Sequence, residues 1–133
     1  MRVNKVQKNI KFNALQIRNN GTTYYRACDI SSCKDKLADT KFVDVVIDYY
    51  GLAIKDKKTD VLQRIQSFSL FPKENSVSVN MFNEKEAKYK FFFKNLDEAK
   101  RNWEDLCDKT NYNGLNYYTI IALWIDKHLD SKK

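Results

Sequence analysis

Residues 40–68 read TKFVDVVIDYYGLAIKDKKTDVLQRIQSF, and their period decides how much of the chain is sheet and how much is helix. Phe42–Tyr50 fits two patterns. As a helix it places Phe42, Val45, Val46 and Tyr49 on one stripe, with Thr40 at the N-cap and Gly51 at the C-cap. As a strand it alternates Val43, Val45, Ile47 and Tyr49 against Asp44 and Asp48. The flanking Thr and Gly favour the helix, and the strand remains the alternative. Lys55–Lys58 (KDKK) reads as a solvent loop, after which Thr59 caps a helix over Asp60–Phe68 with Val61, Leu62, Ile65 and Phe68 as its apolar face. Read this way the segment has the rhythm of a helix-turn-helix. Its connection from Gly51 to Thr59 is longer than the about 3–4 residues that motif allows, and Asp44 and Asp48 would repel phosphate. An ordinary packed helix pair is the simpler expectation.

Working outward toward the N-terminus, Asn9–Ile17 alternates roughly, with Ile10, Phe12, Ala14 or Leu15, and Ile17 set among polar residues. Asn19-Asn20-Gly21 follows, then the Thr- and Tyr-rich run Thr22–Cys28. Two β-type runs around an Asn-Gly predict a hairpin, because those residues tolerate the positive φ of a tight turn. Asp29–Asp39 is polar and reads as a loop or short helical turn.

Toward the C-terminus the period changes after Pro72. Ser76–Phe82 (SVSVNMF) alternates strictly, Asn83–Ala87 is a charged turn, and Lys88–Lys94 (KYKFFFK) is a second strand. Phe91-Phe92-Phe93 puts aromatic groups on both faces, which suits a central or covered strand. Leu96–Thr110 predicts a helix capped by Asn95, with Leu96, Ala99, Trp103 and Leu106 as its stripe. After a break at Tyr112–Gly114, a last helix runs over Leu115–Leu129. The expected fold class is α+β: two β-hairpins, N-terminal and central, with about four helices packed around a small, mainly antiparallel sheet. One domain over residues 1–133 is expected.

Composition supports a packed core. Hydrophobic residues make up 43% and aromatics 14%, with only three Gly and one Pro, which excludes a disordered chain. The three cysteines are an odd number, and no secretory signal precedes them. No apolar run approaches the ~18 residues that a membrane span needs. A reducing, cytoplasmic setting without membrane contact is the expectation.

Net charge is +7, distributed unevenly. Residues 1–40 carry eight Lys or Arg against three Asp, residues 41–95 ten against seven acids, and residues 96–133 six against seven. The surplus therefore lies in the first two thirds, a distribution that favours polyanions. Lys- and Asn-rich composition also follows from AT-rich coding, which tempers the argument.

No motif announces catalysis. Cys28 and Cys33, spaced Cys-x4-Cys, would need Cys107 and His128 to complete a zinc set, and those two form no second close pair. Cys107 reads better as a structural thiol and His128 as a complement to a helix C-terminus. Glycine-rich phosphate loops are absent, so neither an enzyme nor a cofactor nor a metal is expected. The candidate nucleic-acid contacts are Lys5, Lys8, Lys11, Arg18, Tyr24, Tyr25 and Arg26 around the N-terminal hairpin, with Lys55, Lys57, Lys58 and Arg64 in the middle of the chain. The expected function is a small non-enzymatic protein binding DNA or RNA. The alternative is an interaction module or inhibitor, of the accessory type found in mobile elements and viruses, that meets an acidic protein through an aromatic and basic surface. A homodimer is also open to this sequence.

Overall fold

The computed structural model describes residues 15–17, 25–48, 50–82, 87–108 and 114–132. In chain order these form β1 (Leu15–Ile17), α1 (Ala27–Lys36), β2 (Val43–Asp48), β3 (Gly51–Asp56), β4 (Leu62–Phe71), a 3-10 turn (Pro72–Glu74), β5 (Ser76–Phe82), β6 (Ala87–Phe92), α2 (Leu96–Leu106) and α3 (Leu115–Asp130). The six strands make one open sheet in sequence order. β1 runs parallel to β2, with α1 in the crossover between them, while β2 to β6 form an antiparallel meander.

The decisive stretch is sheet. Residues 43–48 pair antiparallel with residues 51–56, Val45 opposite Ile54 and Asp48 opposite Gly51. The helix expected over Phe42–Tyr50 is therefore corrected to β2. Val43, Val45, Val46 and Ile47 are β-branched, stiff at χ1, and pack well on a pleated surface. Both faces of β2 are buried, so the apolar run carried helix-like positions without being a helix. Gly51, at φ +113, does not end a helix but opens β3 after the turn.

The second expected helix, Asp60–Phe68, is corrected to the long strand β4. Its supposed caps are turn residues. The Asp56 carboxylate accepts from the amides of Lys58 and Thr59 at 2.8 and 2.9 Å, and the Thr59 hydroxyl accepts from the Val61 amide. Asp60 takes the left-handed conformation at φ 62. Asp and Thr satisfy nearby amides equally well in a turn or at a helix start, which is why the pattern misled. The helix-turn-helix rhythm has no counterpart here.

Other expectations divide. The central hairpin is present as β5 and β6, and the last two helices as α2 and α3. Asn95 caps α2 by accepting from the Glu98 amide at 2.9 Å. Of the N-terminal hairpin only Leu15–Ile17 and residues 25–28 are described; the rest lies outside the described residues. Leu15–Ile17 pairs in parallel with β2, and Ala27 and Cys28, expected at the end of a strand, begin α1. The polar stretch Asp29–Asp39 is largely that helix, so three α-helices stand among the described residues where about four were expected.

β4 joins the two halves of the sheet. It pairs with β3 only through Leu62 and Gln63, and with β5 from Arg64 to Phe71, with a bulge between Ile65 and Ser67. At that bulge the Ile65 amide donates to the Tyr118 hydroxyl of α3 at 2.8 Å, which satisfies it where the ladder is interrupted. α3 lies across one face of the sheet. Its Ile121, Ala122 and Ile125 pack in one core with Val45, Ile47, Ile54, Val77, Val79 and Met81. The Asp126 carboxylate accepts from the amides of Lys41, Phe42 and Val43 at 2.7–3.2 Å, tying α3 to the start of β2. No helix among the described residues is long and apolar enough to cross a membrane.

Burial pushes the phenols of Tyr118, Tyr89 and Tyr25 above the ordinary tyrosine value of 10.0. The fold favours the neutral phenol. Its contribution is complete below the unfolded value and is lost as pH climbs through the raised folded values. Melting temperature should therefore fall above about pH 10, in thermal melts followed by circular dichroism. Tyr118→Phe should start lower, having lost the Ile65 contact, but fall less steeply.

Candidate functional site

The half-sheet of β4, β5 and β6 has one covered and one open side. Val77, Val79 and Met81 enter the core shared with α2 and α3, so Ser76, Ser78, Asn80 and Phe82 point to the other side. Register extends this side across three strands. Phe71, Ser76 and Phe92 form one row, Ser69, Ser78 and Lys90 the next, and Ser67, Asn80 and Lys88 the third, with Arg64 opposite Phe82 beyond. Phe92 is 66% exposed, Phe82 57% and Phe71 39%. Phe71 and Phe92 flank Ser76 from adjacent strands, which sets their backbones about 9.5 Å apart, two strand spacings.

Large apolar rings left in water on a rigid surface are unusual enough to require a reason. Their surroundings are polar and basic. The Lys90 side chain crosses β5, bringing Nζ to 5.1 Å from the Phe71 ring centroid and 2.7 Å from Glu74 Oε1. Below that crossing lie the hydroxyls of Ser76 and Ser78, both buried and without a hydrogen-bond partner. Farther along, Asn80 donates to the Ser67 hydroxyl at 2.9 Å. That pair belongs to a shallow depression of about 510 Å³ lined by Gln66, Ser67, Asn80, Ala87 and Lys88. Lys73 and Lys94 are exposed just past the ends of β4 and β6.

β6 is the outer strand of the sheet. The aromatic run there behaves partly as expected. Phe91 and Phe93 pack on Trp124, with ring centroids 5.3 and 5.4 Å away, while Phe92 faces solvent. The expectation of a central or covered strand is corrected, because the far side of β6 is uncovered.

The half-sheet of β2 and β3 carries charge of a different kind. Asp44, 2% exposed, lies opposite Lys55, 7% exposed. Lys55 Nζ is 2.9 Å from Asp60 Oδ1 and 3.7 Å from Asp44 Oδ2. Lys57 Nζ approaches Asp44 Oδ1 to 3.2 Å without a well-directed hydrogen bond, and Gln16 donates to Oδ2 at 3.0 Å. Arg64 holds Asp48 at 2.9 Å and the Leu52 carbonyl at 2.8 Å. Three of the cations singled out from sequence, Lys55, Lys57 and Arg64, are thus engaged with carboxylates. Lys58 is exposed in the β3–β4 turn. Arg26 is exposed and paired with Asp29, and Tyr25 packs half-buried against the core. Lys5, Lys8, Lys11, Arg18 and Tyr24 lie outside the described residues. Lys55 and Lys57 share Asp44, and Tyr25 and Arg64 both lie near Asp48.

The thiols and the histidine disperse as well. Cys33 is buried with its Sγ 2.9 Å from the Thr119 hydroxyl, and burial raises its pKa. Cys28 and Cys107 are exposed. His128 stands edge-on to Tyr89 and Phe91. Among the described residues no group of three His, Cys, Asp or Glu is placed to hold a metal.

Sequence reasoning missed the Phe71, Phe92, Lys88 and Lys90 face. Its signal was present: in KYKFFFK the residues Lys88, Lys90 and Phe92 share one side by simple alternation. Compared with known protein families, curated proteins and solved structures, the chain matches none.

Proposed function

We propose that this protein binds single-stranded nucleic acid on the open face of β4, β5 and β6, in a non-enzymatic role and an intracellular setting. The observation that carries the reading is the pair Phe71 and Phe92, exposed in one row across the sheet beside Lys88 and Lys90. Every base has a π-face that stacks on an aromatic ring, and unpaired strands alone present that face. The lysines then meet the phosphates, and a net charge of +7 raises the encounter rate with any polyanion. Gln66, Ser67 and Asn80, with amide and hydroxyl groups around a depression, suit the edge of a base.

An acidic protein partner on the same surface is the second reading. It is favoured by the outer position of β6, whose edge pairs with no further strand among the described residues, although Lys88 and Lys90 discourage such pairing.

Fluorescence polarisation with labelled single-stranded DNA and RNA of about 12 nucleotides tests the proposal. If three phosphates are neutralised, affinity should fall about twenty-fold between about 50 and about 200 mM salt. Duplex of equal length should bind more weakly. Failure to retain any oligonucleotide at low salt would falsify the reading.

A further inference from the structure

We infer that Lys90, Ser76 and Ser78 form the seat for a backbone phosphodiester on this face, and that Glu74 holds the Lys90 ammonium in its place when no ligand is bound. The inference rests on the proposed binding of single-stranded nucleic acid.

Two independent observations converge on it. First, the Glu74 carboxylate, 2.7 Å from Lys90 Nζ, marks where an anionic oxygen sits once Lys90 has crossed β5. The pair is exposed, its side chains 36% and 45% accessible, and ion pairs of that kind hold weakly. A phosphodiester therefore displaces the carboxylate at small cost. Second, the hydroxyls of Ser76 and Ser78 lie on the same side of β5, under the Lys90 crossing, and neither has a partner. Buried hydroxyls are ordinarily satisfied, and each unmet one weakens the fold. A serine side chain that donates nothing in the free protein is explained if it donates to a ligand. With Lys90 lifted from Glu74 onto phosphate, both O–H groups gain an anionic acceptor. Phe71 and Phe92 flank Ser76, so bases on either side of that phosphate find their rings.

This arrangement has a signature that a purely structural role lacks. Ser76→Ala and Ser78→Ala remove an unsatisfied hydroxyl, so melting temperature should hold or rise by a few degrees. Affinity for the labelled 12-mer should nevertheless fall about three- to ten-fold for each. Glu74→Gln removes the competing carboxylate and should tighten binding about five-fold. Glu104→Gln, an equal charge change on the exposed side of α2, controls for net charge and should change affinity by less than about two-fold.

If the natural protein binds the 12-mer but Glu74→Gln gains no more than Glu104→Gln, the phosphate seat is wrong while the binding face stands. If the serine variants are more stable and bind equally well, the seat is likewise wrong. If the natural protein retains no oligonucleotide, the function proposed above fails with it. An equal gain by Glu74→Gln for a labelled polyglutamate peptide assigns the seat to carboxylates and overturns the phosphodiester.

Discussion

Replacing Phe71 and Phe92 together by Ala should weaken oligonucleotide binding by at least about 30-fold in a protein that remains folded. Base stacking on an aromatic side chain is worth about 1–3 kcal/mol per base, and the two rings occupy separate strands, so their losses add. Stability falls mainly through Phe71, 39% exposed, which loses about 1–2 kcal/mol of apolar burial, whereas Phe92 is two-thirds exposed. Phe71 also loses its contact with the Lys90 ammonium, a term of about 0.5–1 kcal/mol at exposed sites. Tyr50→Ala, in the β2–β3 turn and 81% exposed, should leave affinity unchanged. Titration of labelled oligonucleotide into the three proteins decides the matter. A double variant that binds as the natural protein does would remove the aromatic row from the account.

Asp126→Ala should cost about 2–4 kcal/mol, a large part of the 5–15 kcal/mol by which domains are ordinarily stable. One carboxylate receives three consecutive amides, Phe42 at 2.7 Å, Lys41 at 3.0 Å and Val43 at 3.2 Å. Hydrogen bonds to a charged acceptor are worth about 1.5–3 kcal/mol each, and three to one group sum to less than three separate ones. Removing the acceptor takes this bond from the Phe42 and Val43 amides, both part-buried, as well as from Lys41. It also releases the start of β2 from α3, where Val43 and Val45 enter the core. Asp126→Asn keeps a carbonyl acceptor and should lose about half as much. In urea unfolding the midpoint should shift with the slope unchanged. A loss below about 0.5 kcal/mol would mean the tie carries no weight.

How far the sequence foretold this molecule depends on which element is considered. Ser76–Phe82 alternates one apolar face against one polar face, and the strand is there. Leu96–Leu106 has a helical stripe and an Asn cap whose side chain makes the expected bond. In both, apolar residues hold one side and polar residues the other, so the period is legible even though Ser76 and Ser78 are themselves buried. β2 failed for the opposite reason: with both faces buried, an apolar run carries no period that separates strand from helix. Thr40 and Gly51 then tipped the reading, although the Thr40 hydroxyl donates back to the Leu37 carbonyl and Gly51 opens β3.

The binding face was readable only in part. Alternation places Lys88, Lys90 and Phe92 together, but which side the helices cover is a tertiary fact. Asp44 and Lys55 lie eleven positions apart in sequence and opposite each other in register. Until that register is known, Lys55 and Lys57 look like free cations in a basic loop. Charge counts weigh all lysines equally; neighbouring carboxylates determine which of them can meet a phosphate.

The central claim is that nucleic acid lies on the open side of β4, β5 and β6. Amide correlation NMR of the labelled protein, titrated with an oligouridylate, tests it residue by residue. The account predicts the largest shifts at Ser69–Phe71, Ser76–Asn80 and Lys88–Phe92, with α3 and the β2–β3 turn little changed. Shifts concentrated in α1 or around Lys57 and Lys58, with the Phe71 and Phe92 rows silent, would contradict it.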